Sequence, residues 1–358
     1  MNQTKYMDKP LISFVLTCYN QERFIREAVE GAFSQTYSPL QIVISDDCSK
    51  DRTFDIVQQM VAAYQGPHAI RLNRNPTNLG VCGNSNRIMD FCQGELIVGA
   101  AGDDISVPER TSAIFEAWND SGRQATSLYS RHDVIDEHGR PLDGWSEGFI
   151  GEPQGRFDHR KATIANFVRR REPSVRGSTH AVSKKLDSVF GPLPESVTYE
   201  DTALAFRTVL VGGLFTFINA PLVKYRRHGS NITFALHEVR PSSVAAFKDF
   251  QQKQRYELDR FIELYKCFAS DAERAMQQGL ISPAEYPAVK KRILYEGRRM
   301  KLRRDLLIDG WLRRWAIFCE LYCRSFRPRE LLTQVPHLLP RSLYCAALIA
   351  RNRILDHQ

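Results

Sequence analysis

Three pairs of adjacent acids carry the chemistry that this sequence can do. Asp46-Asp47 closes the apolar run Gln41–Ser45, and Asp103-Asp104 follows the run Glu95–Ala101 and Gly102. Glu200-Asp201 opens a stretch in which Leu204, Ala205, Val209 and Leu210 recur at helical spacing. Neighbouring carboxylates at the end of a buried strand repel each other and are desolvated, which is costly unless a cation or a donor-rich ligand sits there. Hard oxygen donors with an open coordination sphere suit Mg²⁺ or Mn²⁺ holding a phosphate-containing substrate. A lone Asp-Asp reads as readily as a helix cap, and Asp103-Asp104 do precede a helix start near Pro108. Two such pairs in equivalent positions point instead to a site. The sequence has no GxxxxGK[ST] loop and no GxGxxG fingerprint, so a carboxylate-held metal is the remaining economical way to hold a diphosphate.

The elements that would position these acids alternate. Leu11–Cys18 reads as a buried strand, and Phe24, Ile25, Ala28, Val29, Ala32 and Phe33 mark one face of a helix. Gln41–Ser45 is a second strand, Phe54 to Tyr64 a second helix, and Ala69–Asn73 a third, short strand. Val81–Phe91 gives another helix and Glu95–Ala101 a fourth strand. This repetition predicts an α/β domain with a mostly parallel sheet covered on both faces. Ligands of such sheets bind outside the carboxyl ends of the strands, where the first two acid pairs lie. From about Val244 to Gly279 the pattern becomes helical, and Ser282-Pro283-Ala284-Glu285 signals a further helix start.

The stretch SFVLTCYNQERFIREAVEGAFSQTYSPLQIVISDDCSKDRT, then NLGVCGNSN, GELIVGAAGDDISVPER, Tyr199-Glu200-Asp201 and YRRHGSN (Tyr225–Asn231), closely resembles the family 2 glycosyltransferases. The resemblance covers about residues 10–235 in five motifs. It implies the GT-A fold, a Rossmann-like mixed sheet flanked by helices, and an inverting sugar transfer from a nucleotide donor. It further implies that Thr17, Tyr19 and Glu22 line the nucleotide pocket, that Asp47 accepts from a pyrimidine edge, and that Asp46 supports that loop. Asp103 would lie toward the ribose and Asp104 toward a divalent metal, Mn²⁺ or Mg²⁺, on the diphosphate. Asp201 matches the general base, with Glu200 beside it. His228 would contact the nucleotide or the metal, together with Arg226 or Arg227. Asn78, Gly80 and Asn86 match the NxGxxxARN-like stretch, and Asn86 is expected at the donor. The sequence departs from the family at Cys48, usually Gly, at Ala101, often an acid, and at Ser85, usually Arg.

The chemistry asks for the same roles. An in-line displacement of a nucleoside diphosphate needs one base facing the anomeric carbon, which Asp201 at a helix N-terminus could supply in ionised form. The leaving diphosphate needs neutralising charge, for which Arg226 or Arg227 are the candidates.

The charge of the chain is uneven. Of 49 Lys+Arg and 41 Asp+Glu, residues 290–358 hold 16 and 6, leaving 33 against 35 for residues 1–289. A uniformly basic nucleic-acid binder is therefore a poor reading. Arg298, Arg299, Lys301, Arg303 and Arg304 crowd together, and WLRRWAIFCELYCRSFR (Trp311–Arg327) combines a basic stripe with a wide aromatic face. Such a segment either lies on an anionic membrane surface or packs on the catalytic domain. The division expected is a catalytic domain over 1–235, a helical extension over 236–289 and a basic amphipathic tail over 290–358. Eight cysteines without a CxxC pair read as reduced thiols, with Cys82 and Cys92 in the core. His132-Asp133 and His138 form no recognisable dyad. With no export signal and no apolar run of bilayer length, the expected location is cytoplasmic, with a peripheral place on the inner face of the membrane if the tail binds lipid.

The expected function is transfer of a sugar from a UDP- or dTDP-type donor to a glycan or lipid-linked glycan, as in surface polysaccharide or lipopolysaccharide synthesis. A nucleotidyltransferase and a non-catalytic, membrane-peripheral binding protein with a degenerate site are the alternatives.

Overall fold

The computed structural model describes residues 9–142, 162–231 and 244–308. The aromatic tail segment Trp311–Arg327 lies outside the described residues, as does much of the stretch between Ser130 and Ser178. The strands are β1 (Ile12–Cys18), β2 (Leu40–Asp46), β3 (Ala69–Arg74), β4 (Leu96–Ala101), β5 (Ile105–Ser106), β6 (Ala125–Ile135), β7 (His180–Ser183) and β8 (Leu214–Arg226). The helices are α1 (Ile25–Phe33), α2 (Thr53–Ala63), α3 (Gly80–Met89), α4 (Arg110–Asp120), α5 (Ile164–Arg170), α6 (Lys185–Phe190), α7 (Glu200–Leu210), α8 (Val244–Gln277) and α9 (Tyr286–Ile308).

One eight-stranded sheet runs in the order β3-β2-β1-β4-β7-β6-β8-β5. β1 pairs in parallel with both β2 and β4, and β3 extends the parallel half from β2. β7 is antiparallel to β4 and to β6, while β6 and β8 run in parallel, so the sheet is mixed. The alternation of β1 fixes its two faces. Ile12, Phe14 and Leu16 join α1 residues Ile25, Ala28, Val29 and Ala32 in one core layer, with Ile114 and Trp118 of α4. Val15 points the other way, toward Val43, Ile88, Ile97, Val182 and Leu186. Both faces of the central strands are thus apolar, which explains why those strands read as continuous hydrophobic runs. Cys82 and Cys92 are buried, as their apolar surroundings led one to expect.

Two glycines make the packing possible. A Cβ on Gly31 of α1 would come 2.9 Å from the carbonyl oxygen of Ser106. One on Gly94 would meet the backbone of Ile12 and Ser13.

The chain divides into two compact units, Met1–Arg227 with Cys267–Lys290, and His228–Lys266 with Lys291–Gln358. In the first, the Arg207 guanidinium of α7 forms a two-point ion pair with Asp271 of α8, at 2.8 and 3.1 Å. Arg207 also donates to the carbonyl of Gly191. The turn before α9 is tied by Ser282, whose hydroxyl donates to Glu285 and accepts from its N–H, as the capping signal predicts. In the second unit, part of the basic cluster is spent on acids of the same unit: Arg299 pairs with the buried Glu296, and Arg304 with Asp259 and Asp305. Among the described residues no helix is long and apolar enough to cross a membrane.

Candidate active site

The strand order reverses at β1, whose neighbours β2 and β4 connect to opposite sides of the sheet. A crevice forms beyond the carboxyl ends of strands at such a point. Its floor is drawn tight by backbone bonds: Gly102 N–H donates to Thr17 O, and Asp47 N–H to Cys18 O, both at 2.9 Å. Position 102 has to be glycine here, because a Cβ would stand 2.8 Å from that of Cys18. Thr17 is half-buried at the end of β1, and Tyr19 beyond it is 43% exposed. Glu22 accepts from Arg52 N–H, and its own N–H donates to Asp51, so the loops after β1 and β2 brace one another.

The first acid pair is absorbed into that brace. Asp46 is fully buried and accepts from Ser49 N–H at 3.0 Å, with the Arg74 guanidinium 3.6 Å away. Asp47 accepts from Asn75 and Leu79 N–H through Oδ1, and from Gly80 N–H through Oδ2. It thereby fastens the start of α3 to the end of β2. Cys48, where the family usually has glycine, has φ of +62°, the left-handed region that glycine enters without steric cost. Asn78 donates to Asp47 O. Asn86 both donates to and accepts from the backbone of Leu193, at 2.7 and 2.9 Å.

The second acid pair has a different setting. Asp104 is buried and Asp103 half-buried beside it. Burial and the charge of Asp103 push the Asp104 carboxyl up to about 8, against the pull of the Arg226 backbone N–H, which donates to Asp104 Oδ1 at 2.9 Å. The Arg226 guanidinium is buried under protein acceptors: it donates to Asp103 O and to Glu27 Oε2, at 2.9 and 3.0 Å, and stacks on Phe24. Arg226 therefore shapes the loop after β4, and its cationic group is directed into the protein. Arg227 donates its N–H to Ile135 O. His228 begins the second unit, where its N–H donates to Asn231 Oδ1 and its ring accepts from Ser230 N–H.

Asp201 sits in the first turn of α7. Its Oδ1 accepts from Thr202 N–H and hydroxyl, and its Oδ2 from Gly177 N–H at 3.0 Å. Burial raises its pKa, and those bonds together with the charge of Arg176 oppose the rise. The helix N-terminus thus does not keep this group strongly acidic, as sequence reasoning expected. Burial outweighs it, and the carboxylate is made a better proton acceptor. Gly177 leaves room for Glu200, since a Cβ there would come 2.7 Å from Glu200 Oε1. Asp201 lines a cavity of about 150 Å³, together with Thr17, Ser85, Asn86, Ala101 and Ser178.

Sequence reasoning missed Arg176 and Ser178. Arg176 stacks on the Tyr225 ring, 4.1 Å from its centroid, and its charge acts on both Asp104 and Asp201. Only its place 25 residues before Asp201, next to a glycine, could have drawn attention to it. His132 packs edge-on against Tyr225, and its pKa is lowered to about 4 by burial and by Arg176 and Arg131.

The profile of Glycosyl transferase family 2 matches residues 13–174. A glycosyltransferase of Rickettsia typhi, itself uncharacterized, is 25% identical over 235 residues, 65% of this chain and 68% of that protein. Residues 13–174 of the chain belong to glycosyltransferase family 2. The glycosyltransferase is also 32% identical over 105 residues to a candidate colanic acid biosynthesis glycosyl transferase, WcaA of Escherichia coli, covering 29% of the chain and 37% of WcaA. Among solved structures, the mannosyltransferase PcManGT of Pyrobaculum calidifontis, in complex with GDP-Man and Mn²⁺, superposes with a TM-score of 0.50. The match is 13% identical and covers 96% of this chain and 87% of that one. It bears out the GT-A fold of the glycosyltransferase: a mixed, mostly parallel sheet flanked by helices, followed by α8 and α9.

Proposed function

We propose that this glycosyltransferase moves a sugar, with inversion, from a nucleoside diphosphate donor to a hydroxyl of a glycan or lipid-linked glycan. The observation that carries the reading is the presence of two unlike carboxylates, Asp104 and Asp201, against one short segment. Asp104, beside Asp103, suits a cation, and Asp201 suits a proton. The short segment Arg176–Ser178 reaches from one to the other. Asp201 takes the proton of the acceptor hydroxyl as its oxygen bonds to the anomeric carbon, and the bond from that carbon to the diphosphate breaks, leaving its electron pair on the departing nucleotide.

Among the described residues no group of three or more His, Cys, Asp or Glu side chains could hold a metal alone. Asp103 and Asp104 supply oxygen donors of the kind Mn²⁺ and Mg²⁺ prefer, and a cation there would take its remaining ligands from the diphosphate and water. When bound it would neutralise the charge that the leaving group develops. In this reading Thr17, Tyr19 and Glu22 line the nucleotide pocket and Asp47 faces the base with the acceptor capacity it has left. Asp46, Asn86 and Arg226 hold the loops that shape it. The acceptor class leans on the name of WcaA, a protein of polysaccharide synthesis.

The test is release of nucleoside diphosphate from a panel of UDP-, dTDP- and GDP-sugars with Mn²⁺ and glycan acceptors. Wild-type turnover that Asp201→Asn lowers by about 10²–10⁴-fold supports the reading. Pyrophosphate as the product, or equal release by Asp201→Asn, refutes it.

A further inference from the structure

The charge on a departing diphosphate is stabilised by cationic side chains as well as metal ions, and Arg226, the arginine best placed by sequence, is used elsewhere. Its guanidinium ends on Asp103 O, Glu27 and the Phe24 ring, with no exposure to speak of. Arg176 is the contrasting case. The Tyr225 ring fixes the plane of its guanidinium, yet its Nε and Nη1 are buried without a hydrogen-bond acceptor in the protein. The Ser178 hydroxyl, in a residue only 9% exposed, approaches Asp104 without a well-formed hydrogen bond and is likewise unpartnered. Buried donors are costly to leave unpaired. Three of them lie within three residues, and Gly177 and Ser178 line the cavity that Glu200 and Asp201 also line, which marks a place where an acceptor-rich ligand belongs.

We propose that Arg176 and Ser178 form the protein's own binding pair for the phosphoryl oxygens of the leaving nucleoside diphosphate. This rests on the nucleotide-sugar reading above and adds the residues that recognise its phosphates. The free Nε–H and Nη1–H of Arg176 point along different edges of the guanidinium plane, so each can give one charge-assisted hydrogen bond to a separate phosphoryl oxygen. The segment also lies against both acids: Gly177 N–H donates to Asp201 Oδ2 at 3.0 Å, and Arg176 stacks on Tyr225, the residue before Arg226, whose N–H holds Asp104. An anion can enter between two carboxylates only when Asp104 is compensated, so the pair works together with the cation rather than in its place. The acceptor is the competing source of a phosphate, and the acceptor-side readout separates the two.

The experiment is calorimetric titration of the full chain with UDP, dTDP and GDP, each with Mn²⁺, and with the matching nucleosides. Arg176→Gln is expected to weaken the preferred diphosphate by about tenfold or more and to leave the nucleoside unchanged. Arg176→Lys should restore part of the loss, and Ser178→Ala should cost a smaller factor, about threefold. Diphosphate affinity that is unchanged in Arg176→Gln overturns the proposal. So does a loss that extends equally to the nucleoside, which would make the residue merely structural, or a defect confined to the KM of a phosphate-bearing acceptor. A wild-type chain that binds no nucleoside diphosphate removes the nucleotide-sugar reading itself, a different result from a wild type that binds and a variant that binds as well.

Discussion

Asp46-Asp47 and Asp103-Asp104 are the same dipeptide at the ends of β2 and β4, the two strands that flank β1, and the fold treats them in opposite ways. The first pair is surrounded by donors. Ser49 N–H, Asn75, Leu79 N–H and Gly80 N–H all end on it, with Arg74 nearby. In the second, Asp104 accepts the Arg226 N–H on Oδ1, yet burial with a neighbouring charge drives that carboxyl to about 8. A carboxylate supplied with donors is a structural joint. One buried next to another acid waits for positive charge from outside the chain.

That contrast can be broken in several ways. The largest effect expected is on turnover: Asp104→Asn, which can still accept from Arg226 N–H, should lower product release by about 10²–10³-fold while the protein stays folded. Circular dichroism and melting would confirm the fold, and a variant that turns over normally removes Asp104 from the site. Asp47→Ala should do the reverse and damage stability first. It removes the acceptor of three donors, of which Gly80 N–H keeps Asn78 and Asn75 keeps Asn84, at about 2 kcal/mol or more, which a lowered denaturation midpoint would show. A small shift of a few tenths of a kcal/mol would mean that the loop after β2 does not depend on this joint.

The two pairs should also differ in how stability follows pH. The folded, metal-free protein holds a proton on Asp104 up to about pH 8, whereas an unfolded chain releases it near 3.8. The group's stabilising contribution is therefore complete below about pH 4 and is lost as pH rises through 8. Asp104→Asn should accordingly melt higher than wild type at pH 8.5 and about level with it at pH 4, in the absence of metal. His180, pushed down to about 3 by burial and Arg110, acts oppositely and weakens the fold as pH falls below 6.5. Taking the difference between variant and wild type removes that background. The smallest effect lies beside the first pair. Cys48→Gly relieves a left-handed residue and should gain up to about 1 kcal/mol, read from chemical denaturation; a loss would mean that the Cys48 thiol contacts with Lys50 and Pro76 matter more than the backbone.

Much of this was legible in the sequence because it lies in short-range signals. The apolar runs of β1, β2 and β4 and the helical spacings of α1 and α2 are local patterns. The acids at the carboxyl ends follow from them once the sheet is known to be parallel. What sequence could not show was who pairs with whom. Asp47 and Asp104 look alike until Leu79, Gly80 and Arg226 are brought to them across 32, 33 and 122 positions. Arg226 looked like a ligand residue because its motif holds adjacent cations, and its burial against Glu27 arises from a contact 199 residues apart. Arg176 belongs to no pattern at all and becomes conspicuous only when Tyr225 is found beneath it.

The division of labour between the two acid pairs rests on Asp104 holding a divalent cation, and titration of Mn²⁺ in the presence of nucleoside diphosphate, followed by loss of the free-ion electron paramagnetic resonance signal, tests it directly. Wild type should take up Mn²⁺ with the nucleotide, and Asp104→Asn should lose that uptake by about a hundredfold while still binding the free nucleoside. Equal uptake of Mn²⁺ by wild type and Asp104→Asn would contradict the account.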